Sequence, residues 1–318
     1  MRVFRGLSTP VSTPSVLTIG NFDGVHRGHA ALLERLVAIA RAQRLTAAVL
    51  TFEPHPREFF APAAAPARLS ILREKLELLA ACGVESTMIC RFDAALASLS
   101  AEDFITRVLL GGLSMRHLIV GDDFRFGKNR AGDFALLASF GPRLGFAVES
   151  MPEILVDGGR VSSSAVRAAL SLGDMHKAAR LLGRPYIIDG RVVHGDKLGR
   201  KLGFNTANIH IRHNPLPMTG VFAVEVDGLD EKPLYGVANL GIRPTVGGVR
   251  PLLEVHLFDF DRVIYGAHLT VRFMHKLREE RKYPDFDALK AQIALDAQAA
   301  RSFFTAEAQR REGRRDHA

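Results

Sequence analysis

Residues 20–29, GNFDGVHRGH, bring three glycines, an aspartate and two histidines into ten positions. A zinc centre needs three or four ligands, and the chain near His26 and His29 offers Asp23 as the one further ligand type, so a metal pair is disfavoured. Two simple capping histidines are the bland alternative. The sharper chemistry is phosphate transfer, in which two imidazoles at a helix N-terminus donate hydrogen bonds to phosphate oxygens and stabilise charge building on phosphorus. The upstream run SVLTI (15–19) predicts a strand, and Leu32, Leu33, Leu36, Val37 and Ala40 recur downstream at helical spacing. Such a strand–turn–helix gathers backbone N–H groups and the positive end of a helix dipole at one point, and the glycines let the backbone approach an anion closely.

Other stretches carry chemistry of the same kind. VSSSAVRAAL (161–170) sets Ser162, Ser163 and Ser164 before a helical pattern with Arg167 in its first turn, either a plain N-cap or a second phosphate contact. GDDFRFGK (121–128) is not a P-loop, because five residues separate Gly121 from Gly127 and Asn129 stands where Ser or Thr is required. In GRVVHGDKLGRKLGFNTANI (190–209), Gly195, Gly199 and Gly203 lack the Rossmann spacing and lead into an Asn/Thr-rich turn. That segment is either a tight hairpin or an anion-binding loop, with backbone N–H groups, Lys197, Arg200 and Lys201 around phosphates. Thr206 and Asn208 then offer a hydroxyl and a carbonyl oxygen, hard ligands suited to Mg²⁺. Glu254, inside the apolar strand LLEVHLFDF, is either a solvent-facing residue or a general base.

The elements that must position these residues fall into two patterns. Up to residue 183, strands SVLTI, LTAAVLTF, ESTMICRF, MRHLIVG and GFAVES alternate with helices, which predicts a parallel sheet with ligands at the strands' carboxyl ends. Ser70 and the pair Ser100/Asp103 read as helix start signals. After LLGRP (181–185), YIIDGRVVHG, GVFAVEVDG, LYGVANLG, LLEVHLFDF and HLTVRFMHKL follow with no intervening helix, predicting a small antiparallel barrel or sandwich. A helix over 285–304 closes it. The expected domains are 1–183 and 184–318. The Ala/Pro stretch 61–67 reads as a mobile connection, and RREGRRDHA (310–318) as a frayed, solvated tail.

Composition sets outer limits. With 318 residues, 47% apolar and 24% charged, the chain has the make-up of a soluble two-domain protein. It has no apolar run long enough to span a bilayer and no signal-peptide core, so a cytoplasmic location and no membrane partner are expected. Cys82 and Cys90 make no disulfide framework and read as buried small hydrophobes. The net charge of +8 suits polyanionic ligands. Nucleic acid is not an expected partner, because the barrel strands show no aromatic ladder and tryptophan is absent.

On these residues the chain resembles a known family. GNFDGVHRGH resembles the HxGH signature of nucleotidyltransferases, VSSSAVRAAL their second phosphate motif, and LIVGDDFRFG the flavin- and nucleotide-contacting loop of bacterial FAD synthetases. NTAN (205–208) resembles the Pro-Thr-Ala-Asn motif of riboflavin kinases, with Asn205 in place of proline, and Glu254 matches their strand-borne glutamate. The order of motifs is similar to that of the bifunctional bacterial riboflavin kinase/FAD synthetase family. The resemblance implies a Rossmann-like adenylyltransferase domain followed by an antiparallel β-barrel kinase domain with a terminal helix. It implies catalytic roles for His26, His29 and Glu254, and contacts to ATP and FMN from Gly20, Asn21, Phe22, Asp23, Gly24, Asp123, Phe124, Arg125, Ser162, Ser163, Ser164 and Arg167. Arg278 joins the kinase loop as a substrate contact, Mg²⁺ sits on Thr206 and Asn208, and the small-molecule partners are riboflavin, FMN, FAD and ATP. The expected assembly is a monomer or weak homo-oligomer. Two rivals are another nucleotidyltransferase carrying a C-terminal binding module, against which NTAN and Glu254 argue, and a nucleic-acid-binding protein.

Overall fold

The computed structural model describes residues 1–6, 12–194, 206–213, 215–245 and 248–315. Its packing divides the chain into two compact units, Met1–Pro66 with Ser70–Ser163, and Ala67–Leu69 with Ser164–Ala318.

The first unit is built on a six-stranded sheet in the order β1 (Arg2–Arg5), β4 (Ser86–Arg91), β3 (Thr46–Glu53), β2 (Ser15–Ile19), β5 (Met115–Gly121), β6 (Ala147–Met151). Every pairing is parallel. All five residues of β2 are buried, as a strand covered on both faces requires. Helix α1 (Arg27–Gln43) turns Leu33, Leu36, Ile39 and Ala40 onto one face of the sheet, and each fully buried leucine contributes roughly 1.5–3 kcal/mol. Residues Phe104–Leu110, wound as a π-helix, pack into the cluster on the other face. From β2 the chain moves outward through β3 to β4, and from β5 in the opposite direction to β6. The ends of β2 and β5 therefore flank the switch point at which ligands bind in such sheets.

Two sequence expectations change here. The edge strand β1 has no counterpart in the predicted set. Ser70 does not cap its helix: α2 (Leu72–Ala81) starts from Ile71, whose backbone N–H is taken by Glu74 Oε2 at 2.8 Å. Ser100 does cap, its hydroxyl accepting from the Asp103 N–H at 3.0 Å.

The second unit is a closed barrel in the order β10 (Thr206–His210), β13 (Gly248–Leu257), β12 (Leu234–Thr245), β11 (Gly220–Asp227), β14 (His268–Arg278), β9 (Tyr186–Val193). Alternation along the strands sends Ile188, Ala238, Leu253, Val255 and Phe273 inward, all buried. The helix α3 (Ser163–Ser171) and α4 (Met175–Leu182) precede the barrel, and α4 packs Met175, Ala178, Leu181 and Leu182 against β9 and β14. The terminal helix α5 (Phe286–Arg315) lays Ala300 and Phe304 on the outward-facing Val221, Ala223 and Val237.

The Asn/Thr-rich segment expected as a turn is a strand, because Thr206–His210 closes the ring between β9 and β13. The helix expected to end near 304 runs to Arg315, so the tail expected to fray is helical up to there, and 316–318 lie outside the described residues. Cys90 is buried in β4, where burial pushes its thiol up to about 11, in keeping with an inert hydrophobe.

Candidate active sites

The first site forms where β2 gives way to α1. Phe22, Gly24 and Val25 take positive φ values of 48°, 82° and 39°, a tight path that turns Phe22 and Val25 inward and leaves His26 as the N-cap of α1. His26 Nδ1 accepts the His29 N–H at 3.3 Å. Because that nitrogen accepts, the proton of a neutral His26 ring lies on Nε2. The two rings stack with centroids 3.6 Å apart and planes inclined by 14°. Burial, then the His26 ring and the Lys75 ammonium, hold the His29 imidazole well below its ordinary pKa. Its Nδ1 is enclosed with no hydrogen-bond partner among the described residues.

A second layer fixes this turn. Asp23, 4% exposed, accepts the Ser70 N–H on Oδ1 at 3.1 Å, and Ser70 Oγ accepts the Gly24 N–H at 3.0 Å. Ser163 Oγ donates to the Asp23 carbonyl at 2.9 Å, so one of the three serines meets the turn directly. Thr51 Oγ1 donates to the Asn21 carbonyl at 3.4 Å, whereas Asn21 Oδ1 is buried without a partner among the described residues. A Cβ at Gly28 would stand 3.2 Å from the His26 ring, so glycine there leaves that ring its room.

The remaining predicted contacts are distributed as follows. Gly20 follows β2 directly. Asp123, Phe124 and Arg125 follow β5, next to β2 in the sheet. Asp123 pairs with Arg160, and Arg125 with Asp133 at 2.8 Å, so both charges have protein partners. Phe124 stacks on Phe126 at 5.5 Å. Ser162 immediately precedes α3, and Ser164 and Arg167 belong to the second compact unit, where Arg167 Nε donates to the Ala67 carbonyl at 2.6 Å. Sequence reasoning missed Lys75, which is 4% exposed. Within LREKLELLAA it looks like part of a solvated helix face, and only its buried neighbour Glu74 and its place beside His29 distinguish it.

The second site is a row across three strands of the barrel. Asn208 on β10 lies directly opposite Glu254 on β13, and Glu254 lies directly opposite Asn239 on β12. All three are half-buried and face outward, since their neighbours Ile209, Val255 and Ala238 fill the interior. Thr206 stands two residues before Asn208 on the same face. Asn239 Oδ1 is enclosed without a partner among the described residues. Gly195, Lys197, Gly199, Arg200 and Gly203 lie outside the described residues, as does Asn205. Arg278 forms a bidentate pair with the buried Asp296 at 2.9 and 2.7 Å, and that pair raises its pKa. Gln292 Nε2 also donates to Asp296, at 2.9 Å.

The donor set tests the expected Mg²⁺. Among the described residues no three His, Cys, Asp or Glu side chains cluster as a metal cage. Mg²⁺ takes few protein ligands, keeps waters and shares phosphate oxygens, so the Thr206 hydroxyl and the Asn208 amide oxygen on one strand face fit it.

Comparison with known proteins matches both halves of the chain. A family model described as FAD synthetase covers residues 8–165 and one described as riboflavin kinase covers 182–304. The chain is 51% identical over 307 residues to the bifunctional riboflavin kinase/FMN adenylyltransferase of Escherichia coli (strain K12), across 96% of this chain and 98% of that protein. It is 47% identical to the protein of that description from Pseudomonas fluorescens, across 98% and 100%. The crystal structure of a macrolide-efflux protein from Streptococcus pneumoniae superposes with a TM-score of 0.82 at 27% identity, covering 95% of this chain and 99% of that one. The half built on the parallel sheet and the half built on the closed barrel are the two parts of one enzyme class. The chain belongs to the bifunctional riboflavin kinase/FMN adenylyltransferase family. Among the described residues no helix is long and apolar enough to cross a membrane.

Proposed function

We propose that residues 184–318 phosphorylate riboflavin to FMN with ATP, and that residues 1–183 transfer AMP from a second ATP to FMN, giving FAD and pyrophosphate. The observation that carries this reading is the presence in one chain of both the stacked His26–His29 pair at the sheet's switch point and the Asn208–Glu254–Asn239 row on the barrel.

In the first half, burial keeps His29 neutral until a polyphosphate arrives. The Nε2–H of His26 and the His29 ring then donate to oxygens of ATP, while an oxygen of the FMN phosphate attacks the α-phosphorus and pyrophosphate leaves. No covalent enzyme intermediate is required, because positioning and charge stabilisation supply the rate. Gly20–Gly24, Asp123, Phe124, Arg125, Ser162 and Ser163 complete the substrate contacts, and Lys75 adds a buried positive charge beside His29.

In the second half, Glu254 orients the ribityl 5′-hydroxyl and accepts its proton as that oxygen attacks the γ-phosphorus and ADP leaves. Thr206 and Asn208 would hold Mg²⁺, which neutralises charge on the phosphates when bound. Gly195, Lys197, Gly199, Arg200 and Gly203, outside the described residues, supply further contacts to the phosphates of ATP. Arg278, engaged with Asp296, holds the end of β14.

Incubating the chain with riboflavin and Mg-ATP and chromatographing the flavins tests the whole reading. FMN and then FAD are expected, and the absence of both overturns it.

A further inference from the structure

Beyond Glu254, the polar row continues onto a residue that no spacing in the sequence singles out. Asn239 is one strand away from Glu254, a step of about 4.8 Å. Its amide lowers the pKa of the nearby Glu280 carboxyl group, and its own Oδ1 stays enclosed and without a partner among the described residues. Gly241, two residues further along the same face of β12, has no side chain, and the Glu280 carboxyl group occupies the space where a Cβ would stand. The Arg278–Asp296–Gln292 cluster fixes the backbone two residues before Glu280. Although Glu280 as a residue is exposed, burial of its carboxyl end raises its pKa, against the opposing pull of Asn239 and Arg278.

Beside Glu254, Asn239 adds an amide oxygen and Glu280 a carboxylate, both acceptors. Two acceptors side by side suit a neutral ligand rich in donors. A polyol whose terminal hydroxyl meets Glu254 carries its next hydroxyls across one strand spacing. We infer that Asn239 and Glu280 read the secondary hydroxyls of the ribityl chain, and so set the kinase's selectivity for a flavin bearing a polyol. This deepens the kinase assignment of the barrel and rests on it.

The test uses the full chain and three variants. Glu280→Gln keeps the shape and weakens acceptance, Asn239→Ala removes the enclosed oxygen, and Gly241→Ala places a methyl group where the carboxylate sits. In Gly241→Ala the three atoms nearest the added Cβ all belong to the Glu280 carboxyl group, the far end of a long side chain that can turn aside at little cost to folding. Riboflavin turnover by the unaltered chain tests the kinase assignment itself, and only the variants test the inference. Each variant is expected to raise the KM for riboflavin about ten- to hundredfold, the usual effect of losing a hydrogen bond to a charged or buried group. The KM for Mg-ATP, kcat to within a few-fold and FAD formation from added FMN should hold. A 2′-deoxyribityl or 3′-deoxyribityl analogue should lose much of its disadvantage in the variants. If kcat falls with KM unchanged, or the Mg²⁺ requirement rises instead, or the deoxy analogue is affected as strongly as riboflavin, the inference is overturned.

Discussion

The two sites are assembled in opposite ways. The His26–His29 site is almost a single stretch of chain: one turn of ten residues supplies both rings, the cap and the helix dipole, and distant residues such as Ser70 and Ser163 brace it. The barrel site contains no two neighbouring residues. Asn208, Glu254 and Asn239 meet because antiparallel register sets them side by side, and a slip of one residue would turn each to the other face; Glu280 comes to Gly241 from beyond the end of β14. Local chemistry is therefore written into a motif, whereas chemistry made by register is written into the fold.

The largest effect that can separate the two sites is at Glu254. Glu254→Gln removes basicity while keeping shape, and riboflavin phosphorylation is expected to fall by ~10²–10⁴. FAD formation from added FMN should stay intact in the same preparation. Survival of riboflavin turnover within a few-fold would leave Glu254 a surface residue and dissolve the row as a site.

The mirror experiment is His29→Ala, with an expected loss of ~10²–10³ in FAD formation, the usual effect of removing one preorganised donor. FMN formation should be spared. Equal loss of both activities with an unchanged melt would mean that the two sites are not separable, and the contrast drawn above would fail.

How much of this was legible follows the same division. β2 and β5 were readable because strands buried on both faces are continuously apolar, and the HxGH turn because its glycines and histidines are contiguous. β1 escaped because Arg2–Val3–Phe4–Arg5 at a sheet edge carries too few apolar residues to signal a strand. Thr206–His210 looked like a turn because Asn and Thr favour turns locally, and barrel closure overrides that preference. Ser70 looked like a cap because serine before an apolar run usually is one. The Asp23–Gly24 turn claimed it instead. Glu254 was legible in its strand as one of two readings, a solvent-facing residue or a general base, between which the family resemblance leaned, whereas Asn239 and Glu280 had no sequence signal, since the residues that fold beside a strand are not encoded in spacing.

A smaller effect probes where the barrel unit begins. A fragment starting at Arg184 lacks α4, whose Met175, Ala178, Leu181 and Leu182 are buried. One starting at Gly173 retains it. Both are expected to keep riboflavin phosphorylation and lose FAD synthesis, with the shorter fragment melting several degrees lower, since each buried apolar side chain is worth roughly 1.5–3 kcal/mol. Equal melting temperatures would show that α4 adds nothing to the barrel, and an inactive Gly173 fragment would show that the kinase needs the rest of the chain.

The smallest effect concerns the charge state of His29. An unfolded imidazole titrates near ~6.5, whereas burial and the nearby positive groups hold folded His29 well below its ordinary value. Between those two values the unfolded chain binds more protons than the folded one, so stability is complete above the unfolded value and is lost as pH falls through it. His117, lowered by desolvation in β5, contributes with the same sign, so the melting slope alone does not isolate His29. The difference between the unaltered chain and His29→Asn does. Melting temperatures taken from about pH 7.5 down to about pH 5.5 should fall in both proteins, and less steeply in the variant. Parallel slopes would mean that His29 is not held neutral by its surroundings, and the donor role assigned to its ring would then need a protonated imidazole from the start.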